Sequence, residues 1–264
     1  MRALLLKGPG NPFSIETVND PIPEKGYAVA KVLACGSGLT IQHVKAGRIL
    51  VDYPRIIGHE IIAEVVEING ESNEYKVGDP VTAFFYLTCG QCKWCNIDRE
   101  TLCNNFKGYI GREIDGGYAE YVRVPSDWVV ALPKGMSLFN AMAIGTAGFT
   151  VALCVQRLEE NNQLPELGKF IITGASGGVG NFAIDIMSAL GYQVVAVTGK
   201  PDRHQSLIDL GADHLLDRNT IDLKGDWKAT KLVIDNSREV DVPQFPITYF
   251  KDDNYIIYFE RIFA

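Results

Sequence analysis

Phe170-Ile171-Ile172-Thr173-Gly174-Ala175-Ser176-Gly177-Gly178-Val179-Gly180 orders the rest of the chain around it. The first four residues are a short run of apolar and β-branched side chains, the pattern of a strand buried on both faces of a parallel sheet. The glycines that follow permit a tight turn. Asn181 to Leu190 then reads as a helix that stops at Gly191. Further on, Val194-Val195-Ala196-Val197 reads as a strand, residues 201–210 as a helix ended by Gly211, and Lys231-Leu232-Val233-Ile234-Asp235 as another strand. Strand and helix in alternation predict a doubly wound parallel sheet. Upstream, Ser137 to Leu158 has helical period, interrupted at Gly145 to Gly148. Before Pro133 the pattern is different. Strands are predicted within Met1–Lys7, Tyr27–Ala34, Ile61–Ile68, Lys76–Phe85 and Gly116–Val124, with Gly and Pro between them. Short punctuated strands predict a barrel-like domain. The chain is therefore expected to hold two domains, residues 1–133 and 134–264.

Bulk properties narrow the partners. With 264 residues and 47% hydrophobic content, the chain can bury two modest cores. Its net charge of −7 argues against nucleic acid or an anionic membrane as partner and leaves a small molecule. No apolar run approaches the roughly 20 residues of a membrane span, and the leucines at 4–6 are too few for a secretion signal. A cytoplasmic location is expected. The six cysteines are then thiols or metal ligands in preference to disulfides.

A glycine-rich turn between a strand and a helix suits a dinucleotide pyrophosphate, because the helix start offers unpaired N–H groups and a positive partial charge. Gly174, Ala175, Ser176, Gly177, Gly178, Val179 and Gly180 are the candidate contacts. Gly177 lets the backbone approach the phosphates, and Gly180 lets helix and strand pack closely. A turn with no ligand is the plainer alternative. After the second strand, NAD-binding chains place Asp or Glu. Here stand Thr198, Gly199 and Lys200, followed by Arg203, a hydroxyl and cations that suit a 2′-phosphate. NADPH is expected over NADH, with Asp202 as the counter-signal and solvated helix-start residues as the alternative reading.

Cys89, Cys92, Cys95 and Cys103 follow C-x-x-C-x-x-C with a fourth Cys eight residues on. Four thiolates on one loop (about residues 86–106) suit one tetrahedral Zn²⁺. Four unrelated cysteines or an iron–sulfur cluster are the other readings. A shell filled by protein leaves no open position, so the ion is expected to stabilise and not to activate water. Cys35 and Cys154 lie among apolar residues and read as core thiols.

With these residues in view, the chain from about Met1 to Asp235 resembles the medium-chain dehydrogenase/reductase superfamily of zinc alcohol dehydrogenases and quinone reductases. In the first half the resemblance rests on Gly58-His59-Glu60, Val77-Gly78-Asp79, the cysteine lobe and Gly116-Gly117-Tyr118-Ala119-Glu120-Tyr121. In the second half, Ile144 to Thr150, Thr173 to Gly180 and Gly191 to Lys200 resemble the NADPH-dependent acryloyl-CoA reductase branch. The resemblance implies a partly open GroES-like barrel with a zinc lobe, followed by a Rossmann domain. It implies a nicotinamide pocket touched by Thr150 and a proton relay of Thr40 and His43, for which a surface histidine is the alternative. The departures are equally informative. The family's catalytic zinc cysteines fall at Gly38 and Thr146 and its aspartate at Ile41, so only His59 and Glu60 remain. Two ligands fall short of the three protein ligands of a catalytic zinc. The Asn-Tyr-Lys-Asp-like stretch of the acryloyl-CoA branch is absent from Gly36 to Leu39. The resemblance thus implies NADPH-dependent reduction of a carbonyl-conjugated alkene, an enoyl-CoA or a quinone. A zinc alcohol dehydrogenase and a truncated, non-catalytic zinc-stapled fragment are the alternatives. Past Asp235 the chain resembles nothing in the family, except that Tyr255 to Phe259 suits one strand. The expectation is a shortened Rossmann domain lacking the usual dimerising region, which leaves a homo-oligomer open.

Overall fold

The computed structural model describes residues 1–70 and 74–220. The strands expected within 231–235 and 255–259 and the shortened ending lie outside the described residues. Two compact units divide at Gly145/Thr146, and not at residue 133. The reason lies in the first turns of the long helix α2 (Leu138–Glu160): Met142 and Gly145 pack beside Gly36 and Glu60 of the first unit.

The first unit is built on antiparallel pairing. β1 (Arg2–Leu6) lies between β2 (Phe13–Thr17) and β4 (Arg55–Ile56). A second sheet of five strands has the order β10-β6-β5-β3-β9. It consists of β3 (Tyr27–Cys35), β5 (Ile61–Asn69), β6 (Pro80–Ala83), β9 (Tyr121–Pro125) and β10 (Val129–Ala131). β7 (Tyr86–Leu87) pairs with β8 (Gly108–Tyr109) at the base of the cysteine lobe. Ala28, Ala30, Ile61, Ala63, Val65, Val81, Val122 and Val124 fill the core of the five-stranded sheet. Register irregularities at Val29/Ala30 and Val32/Ala34 bend β3, as bulges do in curved sheets. The isolated bridge between Ala3 and Ala119 ties the two sheets into a partly open barrel. The predicted strand at Gly116–Val124 is shorter in fact and begins at Tyr121. Gly116 and Gly117 instead form a backbone seam, with their N–H groups donating to the carbonyls of Ile56 and Gly58. Helix α1 (Leu39–Lys45) buries Ile41 and Val44 against Leu6 and Ile57.

The second unit carries a parallel sheet in the order β11-β12-β13, from β11 (Phe170–Thr173), β12 (Val194–Thr198) and β13 (His214–Asp217). β12 is central, and every residue of it is buried, as expected of an inner parallel strand. Phe170, Ile172, Val194 and Ala196 point one way, into a core with Val151 and Leu158 of α2, Ile184 and Met187 of α3 (Gly178–Ala189) and Leu207 of α4 (His204–Asp209). Ile171, Val195 and Val197 point the other way, with Leu216 against them, as the two-residue period of a strand dictates.

By length and apolar composition, the 23 residues of α2 would suffice to cross a membrane, contrary to the expectation that no such run exists. Gly145 breaks the helix, with φ 45° and ψ −152°. The break divides it before either part reaches the roughly 20 residues a span needs.

Candidate functional site

Among the described residues, each place that carries chemistry belongs to a single unit. In the first unit the lobe brings Cys89, Cys92, Cys95 and Cys103 together, with all four sulfurs within 4.8 Å of one another. The closest approaches are Cys92–Cys95 at 3.5 Å and Cys89–Cys103 at 3.6 Å. A regular tetrahedron with Zn–S of about 2.3 Å has edges of about 3.8 Å, so the sulfur cage has the size of a Zn²⁺ shell. The backbone N–H of Cys89 donates to the Cys103 sulfur at 3.4 Å. The N–H of Cys95, with that of Asn104, brings the Cys92 thiol down to about 6. Burial pushes Cys103 up to about 11. A set containing one thiol already poised as thiolate suits a cation, and the donor set fits zinc.

The second place surrounds His59. Residues 58–61 enter β5 next to a seam of glycines. A Cβ at Gly111 would stand 2.7 Å from the Gly58 carbonyl oxygen and one at Gly58 2.8 Å from the Cys35 sulfur, so both must be glycine for the backbones to approach. The His59 ring lies 5.4 Å from that of Phe85, and burial lowers its pKa, so the imidazole is held neutral. The Glu60 carboxylate sits in a notch: a Cβ at Gly145 would be 2.8 Å from its Oε1 and one at Gly38 3.5 Å from its Oε2. With glycine at 38 and isoleucine at 41, this donor set does not fit a catalytic metal. Burial raises the Cys35 thiol to about 12 and the buried Cys154 to about 11, so neither is a nucleophile at neutral pH.

Thr40 and His43 stand one turn apart on α1, on one face of the helix. His43 Nδ1 lies 3.2 Å from Arg48 Nη1. A guanidinium only donates, so Nδ1 accepts and the imidazole proton is assigned to Nε2.

The third place is the glycine turn of the second unit. Gly174 has φ +60°, and Gly177 caps α3 without a side-chain hydrogen bond, which leaves the first N–H groups of that helix unclaimed by any cap. A Cβ at Gly180 would stand 2.5 Å from the Gly174 oxygen and 2.6 Å from Ala175 Cα, so this glycine seats the helix on the turn. Helix α3 begins at Gly178, earlier than the predicted Asn181. Ala175 is buried, while Val179 is exposed. Thr198 is not a free hydroxyl aimed at a phosphate. It is buried, donates to Ser176 Oγ at 3.0 Å and accepts from the Lys200 N–H, tying the turn to the end of β12. Lys200 and Arg203 are exposed beyond it. Sequence reasoning missed Arg218, just past β13, whose Nε would lie 2.6 Å from a Cβ on Gly199. The only signal for it was a basic residue after a strand too short to predict. Thr150 is half-buried and donates its hydroxyl proton to the Thr146 carbonyl of its own helix at 2.8 Å.

A barrel of this topology with a four-sulfur lobe, followed by a parallel sheet with a glycine-capped helix, defines a class of two-domain nucleotide-cofactor proteins. Comparison with known proteins agrees. Residues 24–134 match the alcohol dehydrogenase GroES-like domain family. The acrylyl-CoA reductase AcuI of Ruegeria pomeroyi is 37% identical over 175 residues, 66% of this chain and 46% of that protein. An alcohol dehydrogenase of Geobacillus stearothermophilus is 33% identical over 217 residues, 81% of this chain and 62% of that one. The crystal structure of the yhdH oxidoreductase from Salmonella enterica in complex with NADP superimposes with a TM-score of 0.68 at 33% identity, covering 83% of this chain and 61% of that one. In sequence and fold the chain is similar to medium-chain dehydrogenases and reductases. It spans about half the length of the curated relatives it matches first.

Proposed function

We propose that this chain is an NADPH-dependent reductase of carbonyl-conjugated alkenes, of the enoyl-CoA or quinone kind, with one structural Zn²⁺ and no catalytic metal. The observation that carries the proposal is the turn at Gly174–Gly180, where a Cβ-free Gly180 and an uncapped helix start make an anion seat at the end of β11. Lys200, Arg203 and Arg218 surround the end of β12, and their charge suits a 2′-phosphate. Relatives named acrylyl-CoA reductase and a neighbour crystallised with NADP support the reading.

Reduced nicotinamide, when bound, supplies a hydride. The chain's own residues do the rest. The α3 N–H groups hold the pyrophosphate. Thr198 and Ser176 keep the turn rigid. In the first unit the neutral His59 and the ring of Phe85 form a dry wall. His43 and Thr40 are the relay groups that would pass a proton to the substrate α-carbon. The donor set around Glu60 does not fit a catalytic metal, so the Lewis-acid alcohol dehydrogenase reading keeps only two ligands, His59 and Glu60, of the three it needs.

Fluorescence titration of the purified chain with NADPH and NADH is the test, followed by NADPH oxidation with acryloyl-CoA, crotonyl-CoA, a benzoquinone and simple aldehydes. Tighter NADPH binding and turnover of the conjugated substrates are expected. If neither nucleotide binds, the reading fails and the zinc-stapled, non-catalytic alternative stands.

A further inference from the structure

Helix α1 ends in a turn that folds the chain back over His43. Ala46 is the C-cap, and Gly47 follows with φ +71°. The Gly47 N–H donates to the Val44 carbonyl at 3.0 Å, and the Arg48 N–H to the His43 carbonyl at 2.9 Å. Two such bonds closed over a left-handed glycine form a Schellman motif. Contacts from outside hold the turn. The Gly10 N–H donates to the Lys45 carbonyl at 2.6 Å, and a Cβ at Gly47 would stand 2.8 Å from Pro9 Cβ. The motif sets the residue after its glycine against the residue three places before the cap, frequently through an apolar contact. Here those residues are Arg48 and His43. A hydrogen bond takes the place of the apolar contact, with Nη1 3.2 Å from Nδ1. A guanidinium has donors only, so Nδ1 presents its lone pair and Nε2 carries the proton. Nε2 itself meets no partner among the described residues.

We propose that Arg48 is a positioning residue for His43: through the end of α1 it fixes the plane of the imidazole and keeps its proton on Nε2. The placement rests on α1 and its turn alone, and the use of that proton rests on the relay in the reading above. In such a relay Nε2 gives up its proton as Nδ1 takes one from water, so the ring stays neutral and ends with the proton on Nδ1. Arg48 is exposed, so its guanidinium can step aside for that water. On returning to Nδ1 it favours the Nε2–H form again and resets the donor.

The test is nitrogen NMR of the histidine rings in the full chain at about pH 8.5, where imidazoles are neutral. His43→Gln identifies the resonances. Wild type is expected in the Nε2–H form. Arg48→Leu supplies the apolar contact that completes the motif and removes the donor. The ratio of Nε2–H to Nδ1–H should then fall about tenfold, the size of one hydrogen bond to a charged group. Arg48→Glu puts an acceptor at Nδ1 and should draw the proton there, reversing the ratio. Arg48→Lys keeps a donor, should restore the Nε2–H form, and covers the case in which another variant does not fold. Ring resonances indifferent to all three substitutions overturn the proposal and leave the reductase reading standing. The expected changes in a chain that neither binds nor oxidises NADPH uphold the positioning role and overturn the reductase reading. In an active chain, Arg48→Glu is expected to lower kcat about tenfold with KM for NADPH unchanged; an unchanged kcat overturns the part of Arg48 in the relay.

Discussion

The cysteine lobe and the pocket beside His59 belong to one unit, and they differ in how many distant parts of the chain each needs. The lobe draws its four sulfurs from residues 89–103, so local spacing alone assembles it. The pocket needs the start of β5, the loop after β3, the turn at 110–114 and the kink of α2. The lobe has a complete ligand set; the pocket keeps His59 and Glu60 and has glycine where a thiol would have to stand. A closed shell survives as one segment, whereas a site pooled from several segments can lose its metal residue by residue while its walls persist.

The largest effect expected is on the lobe. Cys92→Ser, or exhaustive chelation, should abolish the zinc binding proposed for the lobe and lower the melting temperature by about 10 °C or more, since structural zinc contributes folding free energy of ~10 kcal/mol. Two zincs per chain in the wild type, by metal analysis, would break the contrast between lobe and pocket. Gly180→Ala comes next. Its methyl meets backbone, so a loss of about 2–4 kcal/mol in stability and a strong loss of NADPH binding are expected by denaturation and fluorescence. Lys200→Ala should weaken NADPH about tenfold and NADH hardly at all, the size of one charge-assisted hydrogen bond. Equal weakening would remove the basis for the cofactor preference. The smallest effect concerns His59. Burial lowers its folded pKa, so the unfolded state takes up the proton first as pH falls below about 6.5. Stability from this group is full above that pH and declines below it. His59→Gln should flatten the fall in melting temperature between pH 7.5 and 5.5 slightly; an unchanged slope would count against a buried neutral imidazole.

Much of this was readable from residue order. β11, β12 and the cysteine lobe match their predicted positions, because each is a local pattern of period or spacing. The helix starts did not match. Glycines at 178 and 180 have poor helix propensity, yet packing of α3 on the turn makes them helical. The segment predicted as one helix over 201–210 is a 3₁₀ turn at Pro201–Arg203 followed by α4. β7, β8 and β13 were invisible, being only two to four residues long and defined by their partners.

Residue order alone was enough for the parallel sheet, the glycine turn and the four-sulfur cage, since each rests on side-chain type at short range. Folding in three dimensions settled matters of a different kind. Thr198 is a buried tie between the glycine turn and the end of β12. The first unit extends to Gly145. Arg218 comes to lie beside Gly199. These depend on where backbones can touch, and Cβ-free seams between segments far apart in the chain determine that only once the sheets have closed.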